Sequence, residues 1–86
     1  MPNKIVVIHE DNHGMIGLAR SMEKVVDFLL DTDWLDENFI IVENDEEIRI
    51  KDHLGEDWCE LIRDMDIEKF NKYFEGSFCL WVEQVY

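Results

Sequence analysis

Apolar residues recur along the chain in several distinct rhythms. Lys4 to Ile8 carries the unbroken β-branched run Ile5-Val6-Val7-Ile8, and Met15 to Ala19 is a second short apolar segment. Both read as strands. Asp11-Asn12-His13-Gly14 between them is the polar, glycine-ended kind of segment that closes a hairpin, with Gly14 or Asn12 in the left-handed conformation. Ser21 then offers a helix cap, and Met22, Val25, Val26, Leu29 and Leu30 fall at i, i+3, i+4, i+7 and i+8. This spacing predicts an amphipathic helix reaching about Asp31, with Trp34 and Leu35 folding back on the core.

Further on, Phe39–Glu43 and Glu47–Lys51 read as two strands joined by the turn residues Asn44-Asp45-Glu46. Ile48 and Ile50 alternate with Glu47, Arg49 and Lys51, which gives one buried face and one wet face. Gly55 breaks the chain before a helical segment in which Trp58, Leu61, Ile62 and Met65 share a face. Asp66 caps a third helix that carries Ile67, Phe70, Tyr73 and Phe74 and stops at Gly76. Phe78–Tyr86 is apolar at both parities, the mark of a strand covered on both faces and therefore central. The resulting order, ββαββααβ, predicts an α+β two-layer sandwich: a mostly antiparallel sheet with two or three helices on one face. The 86 residues form a single domain, 1–86, with no linker or repeat.

Charge changes the picture more than composition does. The net charge is −13, and its distribution is uneven. Residues 27–68 hold sixteen acids and three bases, Arg49, Lys51 and Arg63, whereas the remaining positions hold five of each and sum to zero. Such a surface repels nucleic acid and anionic membranes, which argues against either as a direct partner. It attracts basic proteins through a long-range field. No apolar run reaches the roughly 18–20 residues of a membrane span, and Ile5–Ile8 is too short for a signal-peptide core, so a cytoplasmic protein is expected. Cys59 and Cys79 lack metal or redox spacing and read as reduced, buried thiols.

One stretch spells a catalytic motif. His9-Glu10-Asp11-Asn12-His13 satisfies the H-E-x-x-H pattern, which works only when both histidines project from one helix face toward a shared zinc. Here it follows a strand and runs into Gly14, so a polar hairpin loop with exposed histidines is expected instead. Asp31, Asp33 and Asp36 outline an acidic loop, but position 12 of a calcium-binding loop starting at Asp31 is Val42, not glutamate. Neither Ser21 nor Ser77 sits in a nucleophile elbow, and the four glycines are too scattered to cradle a phosphate. Cys59 with His53 is the remaining nucleophilic pair, and acidic neighbours would raise that thiol's pKa. A non-catalytic protein without a cofactor or resident metal is the expectation, with a zinc hydrolase as the last alternative.

The carboxylates themselves are the strongest candidate site. Asp45, Glu46 and Glu47 fall on a predicted hairpin tip, and Asp52, Glu56, Asp57, Glu60 and Asp64 follow on the next loop and helix. Glu56, Glu60 and Asp64, four apart, would line one helix face as an acidic stripe. Double-stranded DNA carries about one charge per 1.7 Å, so a rigid array of carboxylates offers a comparable field to a protein built to hold nucleic acid. Trp34 and Trp58 are either aromatic anchors beside this face or core residues.

Val7-Ile8-His9-Glu10-Asp11-Asn12-His13-Gly14-Met15-Ile16-Gly17, followed by a helix ending Phe28-Leu29-Leu30 and then Trp34, resembles small uncharacterised proteins carried by phages and prophages of Gram-positive bacteria. The likeness covers about the first 35 residues. In size, acidity and α/β layout the chain is also similar to phage proteins that block host defence nucleases, anti-CRISPR proteins among them. That resemblance implies a binding module in the host cytoplasm whose partner is a basic, nucleic-acid-binding protein. The alternative is an accessory protein that forms a homodimer or binds another phage component through apolar surface.

Overall fold

The computed structural model describes residues 3–85. In chain order it contains β1 (Asn3–Glu10), β2 (Gly14–Ala19), α1 (Met22–Asp31), β3 (Ile40–Glu43), β4 (Glu46–Arg49), α2 (Ile50–Leu54), α3 (Trp58–Arg63), α4 (Ile67–Tyr73) and β5 (Phe78–Val85). The α+β class and the antiparallel pairing match the sequence pattern. The strands, however, form two sheets: a three-stranded one in the order β2-β1-β5, and a separate β3-β4 ribbon.

β1 is the central strand, not β5 as the double-sided apolar pattern of 78–86 suggested. The continuous run Val6-Val7-Ile8 is buried on both faces, whereas Cys79, Trp81 and Val82 of β5 are exposed. Tyr86, the end of the expected strand, lies outside the described residues. Cys79 is thus an exposed thiol, against expectation, and Cys59 is half-buried. Desolvation, more than the Glu60 carboxylate, pushes the Cys59 thiol up.

Strand alternation divides the larger sheet into two faces. Val6, Ile8, Ala19 and Leu80 face the helices and pack with Val25, Val26 and Leu29 of α1, Trp58 and Ile62 of α3, and Phe70 of α4. Val7, Leu18 and Trp81 lie in register on the opposite face, where Leu18 is 54% exposed. A bulge between Ile8 and His9 shifts the β1–β2 register, so that Ile8 opposes Gly17 while His9 opposes Met15. Gly14 closes this hairpin at φ 80°, a conformation open to glycine.

The helix starts follow the sequence. Ser21 and Asp66 cap α1 and α4 by accepting the backbone N–H of Lys24 and Lys69. After α1 the chain turns through Asp33 at φ 60°, and Leu35 returns to the core at 1% exposure.

Two expectations fail between residues 47 and 65. The second strand of the ribbon ends at Arg49, and the chain turns helical at Ile50, adding a helix to give ββαββαααβ. Ile50 is fully buried, and its N–H donates to the Phe39 carbonyl, which ties the start of α2 to the loop before β3. Leu61 is 45% exposed, so the buried face of α3 is set by Trp58 and Ile62. Of the four residues expected on that face, Trp58 and Ile62 are buried and Met65 packs against the core, while Leu61 alone turns outward.

Candidate functional site

The eight carboxylates singled out from sequence are all exposed, but no single helix face carries them. Asp45 occupies the β3–β4 turn with Asn44, both at positive φ, and Glu46 and Glu47 open β4. This is the two-residue hairpin geometry that asparagine and aspartate tolerate best. Asp52 sits in α2, Glu56 and Asp57 in the following loop, and Glu60 in α3, with Asp64 as its C-cap. Because α3 begins only at Trp58, Glu56 precedes it and the expected Glu56–Glu60–Asp64 helical stripe does not form. Instead the ribbon packs on α2, α2 on α3, and α3 on α1, so the acidic residues follow a band across consecutive elements.

Ion pairing sorts this band into neutralised and bare charges. Arg49 Nε donates to Asp52 at 2.8 Å; Lys51 Nζ lies 3.2 Å from Glu37 and 3.8 Å from Glu56. Arg63 bridges α1 and α3, reaching Asp27 at 3.0 Å and Glu60 at 2.9 Å. Glu43 is held by the His53 Nε2–H. Every base of residues 27–68 is therefore engaged, and ten of the sixteen acids have neither a Lys or Arg nor a His partner among the described residues. They are Asp31, Asp33, Asp36, Asp45, Glu46, Glu47, Asp57, Asp64, Asp66 and Glu68, all exposed. Sequence reasoning missed that Glu23 of α1 joins Glu60 and Asp64 around Arg63. Only the packing of α1 against α3 brings them together.

Neither tryptophan considered as an anchor is available in full. Trp58 is 8% exposed and belongs to the core, and the half-buried Trp34 packs against it with the His13 ring edge-on at 5.1 Å. The outward-facing tryptophan is Trp81, on the open side of the larger sheet.

The H-E-x-x-H residues are split between the two faces of that sheet. His9 shares the outer face with Trp81, their ring centres 5.6 Å apart. Glu10 points the other way, toward Trp34, and its carboxylate binds His13 Nδ1. That hydrogen bond, with the nearby imidazole charge and the N–H of Asn12, holds the Glu10 carboxyl below its ordinary 4.5 despite partial desolvation. His9 is consequently half-buried in a strand rather than exposed in the loop, and the two imidazoles do not converge. Among the described residues, no three His, Cys, Asp or Glu side chains are grouped to hold a metal ion.

A second cluster had no sequence signal. Glu43 at the end of β3, His53 in α2 and Tyr73 in α4 form a carboxylate–imidazole–phenol chain, in which Tyr73 Oη donates to His53 Nδ1 at 2.8 Å. The carboxylate requires the Nε2–H tautomer, which leaves Nδ1 as the acceptor. Burial, reinforced by the Glu43 charge, pushes the Tyr73 phenol up to about 12 and keeps it protonated. His53 therefore has no free nitrogen for Cys59.

No protein-family model matches the chain, and comparison with curated proteins and with solved structures returns no significant match. No helix among the described residues is long and apolar enough to cross a membrane.

Proposed function

We propose that this protein is a small non-catalytic binding module that presents its carboxylate band to a basic, nucleic-acid-handling host protein and inhibits or modulates it, as phage inhibitors of defence nucleases do. One observation carries the reading: ten exposed carboxylates between Asp31 and Glu68 lack ion pairs among the described residues, while Arg49, Lys51 and Arg63 are all engaged. Bare like charges held on a folded frame repel one another, and a cationic groove relieves that repulsion on binding. Asp45, Glu46, Glu47, Asp57 and Asp64 are the residues assigned to contact; Asp52, Glu56 and Glu60 hold the band's own bases.

Affinity capture from host-cell lysate at low and high salt, with mass-spectrometric identification, tests this. The expected result is a nucleic-acid-binding protein retained at low salt and released at high salt. The variant E46Q/E47Q/D57N/D64N, which leaves the internal ion pairs intact, should lose it without a change in fold. Retention that ignores both salt and the variant would overturn the reading.

A second reading, an accessory protein that self-associates, is favoured by the open outer face of the larger sheet. Met15, Leu18 and Trp81 are 63%, 54% and 37% exposed there, on strands whose charges nearly balance. Two copies could meet on this face without bringing their acidic bands together. Sedimentation equilibrium would show a salt-resistant dimer in that case and a monomer otherwise.

A further inference from the structure

Between β3, α2 and α4 lies an open cleft of about 440 Å³, within the roughly 300–1,000 Å³ range of small-molecule sites. Ile41, Val42 and Met65 supply its apolar lining, and Lys69, Lys72 and Tyr73 of α4 border it too. Its remaining polar groups are already committed to one another. Glu43 holds His53 Nε2, and the Tyr73 proton is directed at His53 Nδ1. What remains is two ammonium groups, which donate hydrogen bonds and accept none.

In a chain with thirteen more acids than bases, neither Lys69 nor Lys72 has an ion-pair partner among the described residues. Lys4, Arg20 and Lys24 are also without one among the described residues, and the groove of Arg20 and Lys24 contains Asp27 and Asp31. The Lys69–Lys72 cleft has only Glu43, which faces His53. Among the residues that line the cleft, two cations face one carboxylate, an excess of positive charge that suits a monoanion. The strongly negative surroundings, felt over roughly 8–10 Å at physiological ionic strength, disfavour a more highly charged ligand. Exposed ammonium contacts alone are weak, so affinity must come from an apolar body lying on Ile41, Val42 and Met65.

We propose that this cleft binds a small amphipathic monocarboxylate, with its carboxylate on Lys69 and Lys72 and its apolar body against Ile41, Val42 and Met65. The site is separate from the acidic band, and the two can fail independently. The probe is octanoate below its micellar range, followed by amide chemical shifts, with 1-octanol as the neutral isostere.

Saturable shifts confined to the cleft are expected with octanoate, and at least about tenfold weaker binding with octanol. K69Q/K72Q, with an unchanged thermal midpoint, should weaken octanoate about tenfold or more. R20Q/K24Q removes the same charge from the other groove and should leave binding unchanged. Shifts that do not saturate, octanol binding as tightly as octanoate, or an equal loss in R20Q/K24Q would each overturn the proposal.

Discussion

The side-chain amide of Asn71 grips the backbone of Leu80 with both its atoms: Nδ2 donates to the Leu80 carbonyl at 2.8 Å, and Oδ1 accepts from the Leu80 N–H at 2.7 Å. An amide here does what a neighbouring strand would do. β5 is an edge strand, and Asn71 of α4 occupies part of the edge that would otherwise be open to another chain.

Replacing Asn71 with alanine should therefore act on both stability and association. Two partly buried hydrogen bonds lost together cost about 1–2 kcal/mol, or a fall of roughly 5–15 °C in thermal midpoint. Urea denaturation would read the first effect and light scattering at rising concentration the second. An unchanged midpoint would mean that water replaces the amide at no cost.

Gly17 is required by its neighbour rather than by its own backbone. A Cβ at this position would lie 2.6 Å from Phe28 Cζ and 2.8 Å from Cε1, inside contact distance of the α1 ring. G17A should destabilise the fold by about 1–3 kcal/mol. Adding F28L should recover part of that loss, and a double-mutant cycle by chemical denaturation measures the coupling. Simple additivity of the two changes would show that the ring moves aside freely.

Tyr73 makes alkaline pH destabilising. Its folded pKa is raised from 10.0 to about 12, so the unfolded chain releases this proton first. The contribution is complete below pH 10 and is lost as pH rises toward about 12. The phenolate absorbance difference between wild type and Y73F isolates this group. E43Q should lower its midpoint somewhat, since burial is the larger cause and remains.

Zinc binding should reveal no shared site. Because His9 packs beside Trp81 from β1 and His13 beside Trp34 from the turn, H9A and H13A should each alter weak zinc binding independently, with additive effects in the double variant. Calorimetric titration checks this. A single tight site abolished by either substitution would require the hairpin to rearrange.

Much of the architecture was legible because it depends on local signals. Ser21 and Asp66 are helix caps, Gly14 is a turn residue, and the i, i+3, i+4 pattern of α1 needs no tertiary knowledge. The errors share one cause. Whether Trp81 or Val7 is the covered residue depends on which strand lies between two others, and apolar content at both parities is common to β1 and β5. Likewise Ile50 fits the alternation of a strand, but its burial comes from contacts made as the chain turns helical. The candidate site was legible as a bias in charge but not as a surface. Which carboxylates stay bare depends on Arg63 reaching from α3 to Asp27, thirty-six residues away, and no local pattern encodes that.

The pairing of β1 with β5 also imposes an order in time. Asn3 lies opposite Val85, so the central strand waits for β5, some eighty residues later, before its second edge is filled. The β1–β2 hairpin can form as soon as it is made, but closing the sheet means bringing together segments some eighty residues apart, an entropic toll that slows folding relative to a helical bundle of equal length. Until β5 arrives, the central strand with its buried run Val6-Val7-Ile8 has one side unpaired, and a chaperone or a nearby nascent chain can compete for it.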